Sequence, residues 1–208
     1  MLPVQAPAVP GAPEADLPSA RPPGAVQGRG AQFPGELIKP NAKDPEATRK
    51  EVLEDLFTRL SQAGDEESAS VIADAIEKIW MRSGSDTIDL LMQRALQLIQ
   101  SEDYDTALDI LDSIVEMAPD YAEGWNQRAT VFFLKKDFRR SLDDLRHVLA
   151  LEPRHFKAIA GLGLIMQELG DKEAALKAFR KALQVYPQLS DTREMEKELA
   201  REVEGQGI

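Results

Sequence analysis

An all-α solenoid of repeated helix pairs is the fold class this sequence predicts, and two observations carry it. Beyond Pro45 the chain has only three prolines, Pro119, Pro153 and Pro187, set 34 residues apart. Proline lacks the amide donor and clashes with the preceding turn, so regular spacing marks a repeated helical unit. The same step of 34 aligns Ala95, Ala129 and Gly163, then Asp103, Asp137 and Asp171, then Leu108, Leu142 and Leu176. It also aligns Leu111, Leu145 and Phe179, and Ile114, Val148 and Ala182.

The elements follow in order. Ten of the thirteen prolines lie at or before Pro45, so residues 1–43 are expected to be a disordered Pro/Ala-rich tether with no face to pack. Asp44-Pro45 suits a helix start, with a side-chain cap followed by proline in the first turn. Leu53, Leu56, Phe57 and Leu60 then recur at helical spacing, Gly64-Asp65 breaks the chain, and Val71, Ile72, Ala75, Ile76, Ile79 and Trp80 form a second apolar face. Residues 44–83 are thus a helical hairpin. First helices are expected near 88–101, 122–135 and 156–169, and second helices near 104–117, 138–151 and 172–185. Asp103, Asp137 and Asp171 stand where a side chain can cap each second helix. A charged segment, 190–204, with Met195 and Leu199 on one side, reads as a terminal capping helix.

Composition narrows the function classes. The net charge is −11, but residues 44–120 carry 6 basic against 19 acidic side chains while residues 121–187 carry 12 against 8. An acidic chain with 6% aromatics is a poor match for nucleic acid. No apolar run reaches the roughly 18–20 residues a membrane span needs. The absence of cysteine removes disulfides, thiolate nucleophiles and zinc–thiolate sites, and is compatible with any compartment. Residues 1–43 read equally as a cytoplasmic tail or as a linker after an upstream or removed signal, which leaves cytoplasm and periplasm both open.

The residues at fixed places in the 34-residue unit resemble the tetratricopeptide repeat (TPR) family. The unit 122–155 shows Trp125, Ala129, Phe132, Phe138, Ser141, Leu145, Val148 and Pro153 at the family's characteristic positions. Units 88–121 and 156–189 match similarly. The hairpin 44–83 departs from the pattern, with Phe57 in place of a small residue and Met81 in place of proline, and resembles a degenerate repeat serving as an N-terminal cap. The body also resembles short bacterial TPR proteins of unassigned role. The resemblance implies a right-handed solenoid whose first helices line a concave groove. On that basis Met92, Leu96, Ile99, Gln100, Asn126, Thr130, Phe133, Leu134, Leu164 and Gln167 are the candidate peptide groove, with Asn126 expected to grip peptide backbone. Family members that bind heat-shock chaperone tails clamp a terminal carboxylate with lysine, asparagine and arginine. Here those places hold Met92, Leu96, Gln127, Lys157 and Gly161, so such tails are not expected as ligands.

The leading expectation is therefore a non-enzymatic adaptor that binds a protein or peptide segment in that groove. A second surface, Lys135, Lys136, Arg139, Arg140, Arg146 and His147, supports an alternative in which the chain self-associates or docks an acidic partner. Catalysis has little to stand on. Asp143 and His147 lack an obvious third metal ligand, and Gly161-Leu162-Gly163 lacks the third glycine of a dinucleotide loop, with Met166 in its place. No cofactor, metal or catalytic residue is assigned.

Overall fold

Each first helix ends in a left-handed residue, and the next residue both closes that helix and opens the following one. The computed structural model describes residues 45–205, which form nine helices and no strand. The expected tether and the Asp44 cap lie outside the described residues. The helices are α1 (Pro45–Gln62), α2 (Glu66–Trp80), α3 (Asp86–Gln100), α4 (Tyr104–Met117), α5 (Ala122–Leu134), α6 (Phe138–Leu151), α7 (Phe156–Glu168), α8 (Lys172–Val185) and α9 (Ser190–Glu204).

The recurring turn explains the short connections. Glu102, Lys136 and Gly170, one period apart, have φ of 61°, 59° and 83°. The amides of Asp103, Asp137 and Asp171 then donate back to Leu98, Phe132 and Met166 carbonyls at 2.9, 2.8 and 2.9 Å. That bond pattern satisfies orphan carbonyls at a helix end. The same aspartates accept from the amides of Thr106, Arg140 and Ala174, capping α4, α6 and α8. Each second helix has its C-cap, Ala118, Glu152 or Tyr186, one residue before Pro119, Pro153 or Pro187.

Consecutive helices from α3 to α9 pack against one another in chain order. Small residues set how closely they approach. Ala95, Ala107 and Ala175 are fully buried. Ser141 donates its hydroxyl to the Ala129 carbonyl at 2.8 Å, so this buried polar group is satisfied across the α5–α6 contact. At Gly163 a Cβ would stand 2.4 Å from the Phe179 ring, so only glycine lets α7 and α8 meet there. Leu199 is buried and Met195 half-buried against Ala175, Leu176 and Phe179, which joins α9 to the last pair.

The hairpin α1–α2 does not sit where an N-terminal cap would. A cap would cover α3 and α4. Instead Leu53, Phe57, Leu60, Ile76 and Trp80 share one core with Phe156 and Tyr186, and α1 touches α8. The physical reason is an apolar face that α3 and α4 have no need of. Those two helices bury Ile88, Met92, Leu98, Leu111 and Ile114 among themselves and with Val131. Phe156 and Tyr186, by contrast, stand at the start of α7 and the end of α8, where the hairpin covers them.

Candidate functional site

The first helices of the regular units are α3, α5 and α7, and α5 contacts both neighbours. Residues one period apart on them form columns. The column of Met92 and Asn126 is closed, since these side chains are only 1% and 6% exposed. Asn126 donates to Glu123 Oε1 at 3.0 Å, so its amide is engaged inside the protein rather than offered to a peptide backbone. The remaining columns are open. Leu96, Ile99, Phe133 and Leu164 are half-buried, and Gln100, Thr130 and Gln167 are exposed. Leu134 is 45% exposed. Thr130 donates to the Asn126 carbonyl, and Phe133 packs on Phe138 with ring centroids 5.8 Å apart. Leu164 rests against the cluster that holds α9, so the last helix borders this face at its far end.

The closed end is built around His155, the N-cap of α7. Its Nδ1 accepts from the Ala158 amide at 3.1 Å, so that nitrogen carries no proton. Its Nε2 lies 3.1 Å from Glu123 Oε2 and is therefore the donor. Glu123 also accepts from Asn126 and Gln127 at 3.0 and 2.6 Å. Burial raises the carboxyl's pKa, but the bonds from His155, Gln127 and Asn126 outweigh it and hold the group below the ordinary carboxylate value.

Trp80 of α2 covers this network. Its ring stacks on His155 with centroids 4.1 Å apart and planes 11° apart, and it meets Phe156 at 5.2 Å. Two ion pairs flank the stack. Arg154 pairs with Glu54 and lies 4.1 Å over the Phe57 ring, and Lys157 reaches Glu77 at 2.7 Å. Tyr121, the N-cap of α5, donates to the Met81 carbonyl at 2.8 Å. Burial, with Glu123 and Asp89 nearby, pushes the Tyr121 phenol well above its ordinary pKa. Exposed ion pairs contribute roughly 0.2–1 kcal/mol each, whereas burying an aromatic or large aliphatic side chain contributes roughly 1.5–3 kcal/mol. Trp80, Phe57 and Ile76 therefore hold the hairpin, and the charges orient it. A cleft of about 790 Å³ remains beside it, lined by Arg49, Val52, Arg82, Tyr121 and Leu151.

The basic surface is largely spent within the chain. Lys135 pairs with Asp105, Arg140 with Asp137 and Arg146 with Asp143. His147 stacks on Trp125 with centroids 4.3 Å apart, and its Nδ1 donates to the Asp143 carbonyl. Lys136 and Arg139 are exposed. Sequence reasoning missed Arg128, which bonds Asp144 through two nitrogens at 2.8 and 2.7 Å and Asp112 at 2.8 Å, tying α4, α5 and α6 together. It also missed the joint role of Trp80, Glu123 and His155. The spacing shows Trp80 as part of an apolar face, but not its stacking on His155. Among the described residues no group of three His, Asp or Glu side chains is placed to hold a metal, and no helix is long and apolar enough to cross a membrane.

Comparison with known proteins agrees with the architecture. The tetratricopeptide repeat family model matches residues 156–189. The chain is 38% identical over 177 residues to a TPR repeat-containing protein of Rhizobium etli, covering 83% of this chain and 87% of that protein. Among solved structures it is similar to the first TPR of Spaghetti (RPAP3) bound to an HSP90 peptide, at 20% identity and a TM-score of 0.54, covering 56% of this chain and 93% of that one. It is also similar to the MamA protein, at 18% identity and a TM-score of 0.52, covering 76% and 83%. The 34-residue period, the paired helices and a relative this similar over most of both chains place the protein in the tetratricopeptide repeat family, whose arrays are in general non-enzymatic protein-interaction modules.

Proposed function

We propose that the chain is an adaptor that holds an extended or helical protein segment along the open columns of α3, α5 and α7. The observation that supports it is Leu134, 45% exposed, on first helices that also carry the half-buried Leu96, Ile99, Phe133 and Leu164. Apolar side chains gathered on one exposed face mark a binding surface. Gln100, Thr130 and Gln167 supply amide and hydroxyl groups along the same face to fix the register of a bound backbone. The carboxylate clamp is missing from its family positions, so the partner presents apolar side chains from within a segment rather than a chaperone's terminal carboxylate. The self-association reading is weaker, because Lys135, Arg140 and Arg146 are already paired internally.

A photo-crosslinking residue at Leu134 or Gln100 tests the reading in native extract, with Glu116 on α4 as the control. The expected result is a discrete adduct from the first two positions and none from the control. The pair Thr130→Lys and Leu134→Lys should remove the Gln100 adduct while leaving the helical circular dichroism unchanged. Equal adducts from all three positions would sink the assignment.

A further inference from the structure

The hairpin shows directly what the ends of α5, α7 and α8 can bind, because it is a bound segment. We propose that this edge is an exchangeable docking surface for acidic helical segments carrying an aromatic anchor, and that α1–α2 is its resident occupant. This rests on reading the array as a binding scaffold, but it concerns the closed end rather than the open columns.

Five observations carry it. The contacts are specific in chemistry. Trp80 seats on the His155 ring, Phe57 lies under the Arg154 guanidinium, and carboxylates at Glu54 and Glu77 meet Arg154 and Lys157. The surface is basic and aromatic, and α2 carries four carboxylates against one lysine. The hairpin is joined to the array by a short connector, and Gly84 there has φ of 84° with nothing within 4 Å of the position of a Cβ. The clusters of α3–α4 and α5–α6 contain no residue of α1 or α2, although Met81, just past α2, packs against the first and the hairpin covers Phe156 and Tyr186. Docking also leaves the buried Trp80 indole nitrogen without a hydrogen-bond partner among the described residues, a cost that release into water removes.

A resident segment competes at the high effective concentration of a tethered ligand. An outside segment of the same chemistry therefore binds when the resident is weakened. The full-length chain carrying Trp80→Ala keeps the receptor edge intact. Titrated with a fluorescein-labelled peptide of residues 45–82, it should bind roughly tenfold or more tighter than the wild-type chain does, as expected from loss of an aromatic anchor in the competitor. The same peptide carrying Trp80→Ala should not bind. A second full-length variant, Glu54→Arg with Glu77→Arg, alters one exposed and one half-buried ion-pair partner and serves if Trp80→Ala disturbs folding. It should also capture the native peptide. Reversing the receptor charges with Arg154→Glu and Lys157→Glu in the Trp80→Ala chain, whose resident keeps Glu54 and Glu77, should transfer preference to the peptide carrying Glu54→Arg and Glu77→Arg.

Saturable binding with this charge-swap preference supports the proposal. A folded chain carrying Glu54→Arg and Glu77→Arg that fails to bind the native peptide overturns it, and so does equal binding of peptides with and without Trp80. Neither result touches the crosslinks at Leu134 and Gln100, so failure here and failure of the open-column reading can be told apart.

Discussion

Glu123 is a carboxylate that the fold surrounds with donors, and its titration is therefore coupled to stability. It is 6% exposed and accepts from His155, Asn126 and Gln127. Its native pKa lies below the ordinary value of 4.5, so the native state binds fewer protons than the unfolded chain in that range. The contribution is fully present above the ordinary value and is lost as pH falls through the native one. Between about pH 6 and about pH 3 the urea midpoint of the wild type should fall more steeply than that of Glu123→Gln. Parallel slopes for the two proteins would show that Glu123 does not carry this dependence.

At the level of the helix, the turn inside each repeat asks for one left-handed residue, and the three units answer it differently. Gly170 adopts φ of 83° freely, whereas Glu102 and Lys136 hold 61° and 59° with a side chain attached. A non-glycine residue there costs roughly 1–2 kcal/mol. Glycine gives back part of that advantage through the greater freedom of the unfolded chain. Lys136→Gly should accordingly stabilise the protein by about 0.5–1 kcal/mol, and Gly170→Ala should destabilise it by about 1 kcal/mol, both read from urea denaturation. Lys136 was assigned to a binding surface by its charge. Its position is equally that of the residue which ends α5, and the substitution separates the two roles. If Lys136→Gly lowers stability, the backbone account of this turn is wrong.

Across the whole molecule, what the sequence displayed was local and periodic. Pro119, Pro153 and Pro187, the aspartate caps and the small residues at Ala95, Ala129 and Gly163 repeat because each unit solves the same packing problem. The placement of α1–α2 left no such trace. Its contacts join Glu54 to Arg154, Glu77 to Lys157 and Trp80 to His155, pairs separated by 75 to 100 residues that occur once and in no repeating column. The open columns could be read from the period, whereas the closure of Asn126 could not, because it depends on Glu123 and His155 meeting beneath that hairpin. The same contrast predicts how the protein unfolds. Neighbouring repeats share long helix faces, while the hairpin holds the array by its ends, so it should detach before the array loses its helices. In a Trp125→Phe chain, Trp80 is the only tryptophan and reports the docked hairpin directly. Its fluorescence should change at a lower urea concentration than the far-ultraviolet helical signal of the same sample. Coincident transitions would instead make α1–α2 part of the cooperative core, with its release and global unfolding a single event.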